Sequence, residues 1–161
     1  MSIAIFLPTL WIGGAEKLHA NLINEWIQSG YDVELIILFK SNHDIDIGPL
    51  IDGRCKQTFL ELQNYKQSLG GLIKVLKKKR YDFILAPMWP LTCVAVLAWL
   101  LTKRHGKLFL SEHTNLSASH KSEIKTPFLF IRISIFFLYR LAHGIIAVSQ
   151  GVKDDISELG R

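Results

Sequence analysis

Gly13-Gly14, followed by Ala15-Glu16, stands between a short apolar run, Ile3 to Leu7, and an amphipathic helical pattern that begins at Ala15. Strand, glycine turn and helix start together make a device for binding anions. The first N–H groups of a helix lack intrahelical partners, the macrodipole favours negative charge there, and glycine lets a ligand approach the main chain. A phosphate-bearing ligand is the chemistry this implies, although an ordinary strand-to-helix turn also wants small residues. The pattern G-x-G-x-x-G is absent, which disfavours a dinucleotide. Glu16, in the first helical turn, complements the dipole. No Ser-His-Asp or Cys-His set is apparent, and no metal-ligand spacing. Cys55 and Cys93 lie far apart and read as reduced thiols of a cytosolic protein.

These residues need a scaffold, and 161 residues are enough for one domain with a real core. Hydrophobic residues make up 49% of the chain, which excludes general disorder. The net charge of +5 suits an anionic partner. Met1-Ser2 leads into the first apolar run with no basic segment ahead of it, so no secretory signal is expected. The closing Gly160-Arg161 resembles the end left by a trypsin-like cut.

Strands are expected at Ile3–Leu7, Tyr31–Phe39, Lys56–Leu60, Tyr81–Ala86, Lys107–Ser111 and Gly144–Val148. Helices are expected at Gly14–Ser29, Gln67–Lys79, Leu91–Lys103, Pro127–Ala142 and Gln150–Leu159. Ala15, Leu18, Leu22 and Trp26 recur at helical spacing, and Gly30 is placed to end that helix in a left-handed conformation. The polar segment Ser41 to Arg54 reads as a surface loop. Strands that are apolar throughout imply a sheet covered on both faces, hence parallel strands with helical crossovers. The expected fold class is α/β, a Rossmann-like doubly wound parallel sheet in a single domain. Phe83 to Leu101 carries no charge over nearly a bilayer's length, but Pro87 and Pro90 divide it into a buried strand and an apolar helix.

Three segments carry a family resemblance. Leu7-Pro8-Thr9-Leu10-Trp11-Ile12-Gly13-Gly14-Ala15-Glu16-Lys17, with Asn21-Leu22 and then Ser29-Gly30-Tyr31-Asp32-Val33, resembles the N-terminus of family 4 retaining glycosyltransferases. Tyr31 stands where the family has histidine, a conservative departure. Ser111-Glu112-His113-Thr114-Asn115 falls after the fifth strand, where the family often places a histidine. Ile145 to Ser149, leading into Gln150-Gly151-Val152-Lys153-Asp154-Asp155, resembles its later strand-to-helix segment. The resemblance covers the whole chain and implies the N-terminal, acceptor-side half of a GT-B fold. The C-terminal domain, with its Glu-x7-Glu element and most of the nucleotide-sugar contacts, is absent from this sequence, so the chain alone is expected to be inactive.

The resemblance also implies roles. Gly13 and Gly14 would meet the donor diphosphate and His113 would act at the reacting centre. Glu112 would orient that histidine or the acceptor. His113 has a simpler reading as a loop residue capping the next segment, and Thr114, Asn115 and Ser117 are equally good caps. Trp89, after the fourth strand, would stack on a sugar or lipid; equally, it would only cover the sheet edge. Ser149 reads as the N-cap of the last helix. The implied partners are a nucleotide-sugar donor, a glycan or lipid-linked acceptor and the missing C-terminal domain. No cofactor or metal is expected, and the setting would be cell-surface polysaccharide synthesis. The alternative is a non-catalytic phosphate- or nucleotide-binding Rossmann-like module.

Lys77-Lys78-Lys79-Arg80 and the group Lys103, Arg104, His105 and Lys107 bracket the apolar helix at 91–101, and the helix from Pro127 is apolar nearly all round. Such helices are usually buried. Peripheral attachment to an anionic membrane, at its cytoplasmic face, accounts for the same residues. The basic runs show no interleaved aromatics of a nucleic-acid surface.

Overall fold

The structure, a computed structural model, describes residues 1–40, 47–122 and 126–161. Six strands form one parallel sheet: β1 (Ser2–Leu7), β2 (Asp32–Phe39), β3 (Lys56–Leu62), β4 (Phe83–Pro87), β5 (Lys107–Glu112) and β6 (Gly144–Ala147). Their order across the sheet is β3-β2-β1-β4-β5-β6. The connecting helices are α1 (Gly14–Gln28), α2 (Tyr65–Lys78), α3 (Leu91–Leu101), α4 (Leu116–Ser122), α5 (Phe128–Leu138) and α6 (Gln150–Leu159). The expected doubly wound α/β architecture is the one observed.

Strand alternation builds two cores. Ala4, Phe6, Ile36, Leu38, Ile84, Leu108 and Leu110 face α2, α3, α5 and α6. Ile3, Ile5, Leu7, Val33, Leu35, Ile37 and Leu85 face α1. Each Val, Leu, Ile or Phe among them contributes about 1.5–3 kcal/mol when removed from water, and the inner strands β1 and β2 bury nearly every residue. The edges differ from expectation. On β6, Ile145 and Ile146 are exposed on opposite faces of the edge strand; Ile146 lies on the α1 face, where no helix covers that end among the described residues. Coverage of both faces therefore holds for the central strands and fails at this edge.

Helix ends follow the sequence. Gly30 lies at φ 83, with Gly30 N–H bonded to Ile27 O and Tyr31 N–H to Trp26 O. That is a Schellman closure, and it turns the chain directly into β2. Ser149 Oγ accepts from Val152 N at 3.3 Å, the expected N-cap of α6.

Two segments depart from the expected layout. The loop expected to be polar surface from Ser41 to Arg54 lies partly outside the described residues, and its remainder is anchored. Ile47 and Ile51 are buried, a 3₁₀ turn spans Gly48–Leu50, and Asn24 of α1 clamps Leu50 O and Asp52 N at 2.8 Å each. The two buried isoleucines stand among Asp, Asn, Gly and Pro residues with no helix or strand period, too weak a signal for a core anchor. The segment after His113 forms α4, too short and too polar to show helical periodicity. The long helix expected over Pro127–Ala142 ends at Leu138 and tightens into a 3₁₀ turn, Tyr139–Leu141. The apolar stretch from Phe83 divides into β4 and α3 as expected, and among the described residues no helix is long and apolar enough to cross a membrane.

Candidate active site at the carboxyl edge of the sheet

All six strands run the same way, so the turns after them gather at one edge. Strand order reverses between β1 and β4. The crevice outside the carboxyl ends at such a switch point is where open α/β sheets bind ligands. The turn from Pro8 to Gly13, the segment Met88-Trp89-Pro90 and the segment His113-Thr114-Asn115 all emerge there.

Gly13 is the N-cap of α1, in extended backbone at φ −131, and no side chain caps this end. A Cβ on Gly13 would collide with the Glu16 carboxylate, which folds back from N3 over the N-cap. Gly14 is exposed, and a Cβ placed there would meet nothing within 4 Å. Neither glycine is required by a left-handed backbone. The fold therefore gives no reason for glycine at position 14, where alanine is the better helix former. Close approach of a group from outside supplies one.

His113 extends from the end of β5 and is half-buried; its Nε2 lies 3.2 Å from Ser111 Oγ. Capping of α4 falls to other residues: Asn115 Oδ1 accepts from Ala118 N at 2.8 Å, and Asp155 Oδ2 accepts from Leu116 N and Ser117 N. The simpler reading of His113 as a cap is thus removed. Its ring sits against His19 of α1, centroids 5.0 Å apart. His19 is buried, and its Nδ1–H donates to Ala15 O at 2.6 Å, so the neutral ring holds Nε2 unprotonated. Burial, reinforced by the charge that His19 would carry, pushes His113 down to about 4; burial also lowers His19. At neutral pH the pair is uncharged. The contact also brings the β5 histidine against the first turns of α1, whose N-terminus is Gly13-Gly14.

His19 is the residue that sequence reasoning missed. It lies on the buried stripe of α1, where a lone histidine reads as core, and only the fold brings it to His113. Met88 precedes Trp89 in the segment that follows β4. It takes φ 59 at the carboxyl end of β4, held by Met88 N–H to Ser111 O at 2.8 Å. For a residue with a Cβ this conformation costs roughly 1–2 kcal/mol.

One expected contact, that of Glu112, is corrected, and the indole N–H of Trp89 proves to be engaged within the domain. Glu112 is fully buried and does not face the crevice. Its Oε1 accepts from Tyr139 Oη and from Thr92 Oγ1 (3.2 Å), and its Oε2 accepts from Trp89 N (3.2 Å). Burial outweighs these bonds and pushes the carboxyl up to about 7. Glu112 ties β5, α3, the Met88-Pro90 segment and the end of α5 together beneath the crevice floor. Alternation along the strand decides this: with His113 turned to the crevice, its neighbour points inward. Trp89 is half-buried against the larger core, and its Nε1–H donates to Ser134 Oγ of α5 at 3.1 Å. The indole edge is therefore committed inside the domain. Among the described residues no group of three or more His, Cys, Asp or Glu side chains is placed to hold a metal ion, and Cys55 and Cys93 are buried free thiols.

The sheet order, the switch-point crevice and the glycine-led helix define an α/β ligand-binding domain of the Rossmann type. The chain belongs to Glycosyltransferase Family 4, whose family model matches residues 12–161. Its fold is that of the N-terminal half of GT-B glycosyltransferases. The apo form of the lipopolysaccharide outer core galactosyltransferase WaaB superposes with a TM-score of 0.67 at 20% identity, over 100% of this chain and 43% of that one. Sucrose-phosphate synthase from Thermosynechococcus elongatus superposes with a TM-score of 0.63 at 13% identity, over 98% of this chain and 44% of that one. The chain thus spans less than half the length of both structures. No curated protein matches the chain in sequence.

Proposed function

We propose that the protein is a retaining glycosyltransferase in which this domain supplies the acceptor side of the active site. The supporting observation is the contact between His113 and His19. It brings the histidine after β5 to the glycine-led start of α1 at one crevice.

Transfer from a nucleotide-sugar breaks the bond between the anomeric carbon and the diphosphate. Negative charge then grows on the leaving oxygen. Amides of Gly13 and Gly14, together with the dipole of α1, stabilise that charge without reorganising. The open space at Gly14 lets the diphosphate reach the main chain. Glu16 must swing aside from Gly13, which a flexible surface carboxylate can do. His113, held neutral, hydrogen-bonds to the transferred sugar and adds no positive charge beside an oxocarbenium-like centre.

Most donor contacts would come from a second, C-terminal domain across the crevice, and the acceptor would be a glycan or lipid-linked saccharide of cell-surface polysaccharide synthesis. A hexosyl donor is the proposed class. The test is turnover of a panel of nucleoside-diphosphate hexoses by the intact protein. Nucleoside diphosphate should be released, with kcat/KM at least about a hundredfold lower in His113→Ala and Gly14→Val, the range for loss of a preorganised donor. Residues 1–161 alone should give no transfer. Binding of nucleoside diphosphate by the intact protein, with no turnover of any donor, would instead establish a non-catalytic binding module.

A further inference from the structure

Helix α5 contradicts a simple rule. A helix apolar all round belongs in a core, yet α5 is buried on one side only. Ile131, Ile135 and, just beyond the helix, Tyr139 are sealed against the larger core. On the opposite side Leu129, Phe130, Ile133 and Phe137 are 64, 63, 45 and 62% exposed. Their spacing places them within one contiguous stripe. Four large apolar side chains on one short helix form the kind of patch that soluble surfaces avoid unless something meets it.

Along α5 itself the charge is of one sign, while α6 beside it brings Asp155 and Glu158 to the hollow that Arg132 lines. From Thr126 to Leu141 there is no acidic residue. Arg132 is exposed beside the stripe, and Arg140 stacks over Phe136 at 3.9 Å while donating to Gly160 O at 2.9 Å. Topology adds a second set of cations. Helices α2, α3 and α5 all end at the amino edge of the sheet, where β4, β5 and β6 begin. Lys77 and Lys78 close α2, and Lys103 and Arg104 follow α3. Lys77, Lys78, Lys103 and Arg104 therefore form a basic rim on the same sheet edge as the end of α5, opposite the crevice, an edge that also carries Asp32, paired with Lys79, and Asp82, bonded to Ser2.

We propose that the outer face of α5 docks onto an anionic lipid bilayer, with its apolar side chains at the acyl boundary and the basic rim against lipid phosphates. The 11-residue helix is about 16 Å long at 1.5 Å per residue. It is too short to cross about 30 Å of hydrocarbon and is suited to lying in the interface. Arginine stems and aromatic rings favour that depth. A second copy fits the face poorly, since a two-fold contact through the stripe would gather Arg132 and Arg140 of both copies in one interface with no acidic residue from α5 to pair them. Docking this way leaves the carboxyl-edge crevice open. The inference adds a partner to the proposed transferase and does not depend on the reaction.

The test is co-sedimentation of the intact protein with vesicles of phosphatidylglycerol and phosphatidylethanolamine, compared with phosphatidylcholine alone. Partitioning should be at least about tenfold stronger on the anionic vesicles and fall with added salt. Ile133→Ser/Phe137→Ser should lose at least about tenfold of it. Phe59→Ser, at an exposed site on edge strand β3, should lose none. Both variants remove only surface groups, and circular dichroism melting checks that they fold. Three outcomes would overturn the proposal: equal or absent partitioning on the two vesicle types, unchanged partitioning of the double variant, or a lipid-independent dimer that the double variant breaks. None of these bears on donor turnover.

Discussion

Replacing Glu112 by Gln isolates the buried carboxyl beneath the crevice. Burial pushes its folded-state value up to about 7, against an ordinary carboxyl value of 4.5. The folded protein therefore keeps this proton through a pH window in which the unfolded chain has released it. The folded state binds more protons there, so stability falls as pH rises from about 4.5 through about 7. At about 1.4 kcal/mol per pH unit, the loss is about 3 kcal/mol by pH 8. The group is fully buried, so no screening discount applies. Gln keeps the shape and carries no charge at any pH, and its oxygen can still accept from Tyr139 or Trp89. His19 and His113 act in the opposite sense: held below the ordinary imidazole value, they remove stability as pH falls below about 6.5. The difference between wild type and Glu112→Gln cancels their contribution. Urea denaturation of both proteins at intervals from pH 4.5 to 8.5 gives that difference. It should move by about 3 kcal/mol in favour of Gln across the window. A difference that stays flat with pH would refute the assignment of a raised, buried carboxyl.

Other expectations test neighbouring parts of the account. Gly14→Ala should leave the urea midpoint unchanged or slightly raised, by at most about 1 kcal/mol, while lowering kcat/KM for the donor; a destabilised variant would mean the fold itself requires glycine there. His19→Leu should move the His113 titration, followed by imidazole NMR, upward toward its ordinary value, and no movement would separate the two rings. Asp155→Ala leaves two α4 amides without their acceptor and should cost about 1–2 kcal/mol in denaturant unfolding; a neutral result would remove its capping role. Tyr139→Phe, which strips a donor from Glu112, should cost about 1–3 kcal/mol and push the Glu112 titration further up.

The scaffold was legible in the sequence because its signals are local. The apolar runs of β1, β2, β4 and β5, the stripe of α1, Gly30 and Ser149 each specify their own element, and alternation of strand with helix then leaves a parallel sheet. What was not legible depends on which way a side chain turns. Glu112 and His113 are adjacent, and strand alternation sends one inward and the other to the crevice. Trp89 sits at the ligand edge of β4, yet Ser134, 45 residues further on, claims its indole N–H. His19 looks like core from α1 and becomes part of the site only through β5. The outer face of α5 is the same kind of case, since Leu129, Ile133 and Phe137 read as core until neighbouring elements leave them uncovered.

The central claim is that the start of α1 and the histidine after β5 form a single donor-facing site. Nuclear magnetic resonance of the intact protein, with the amides of Gly13 and Gly14 and the His113 ring observed as a nucleoside-diphosphate hexose is added, tests it most directly. The account predicts that all three signals shift along one saturation curve. Saturation of binding with His113 and the Gly13-Gly14 amides unmoved would contradict it.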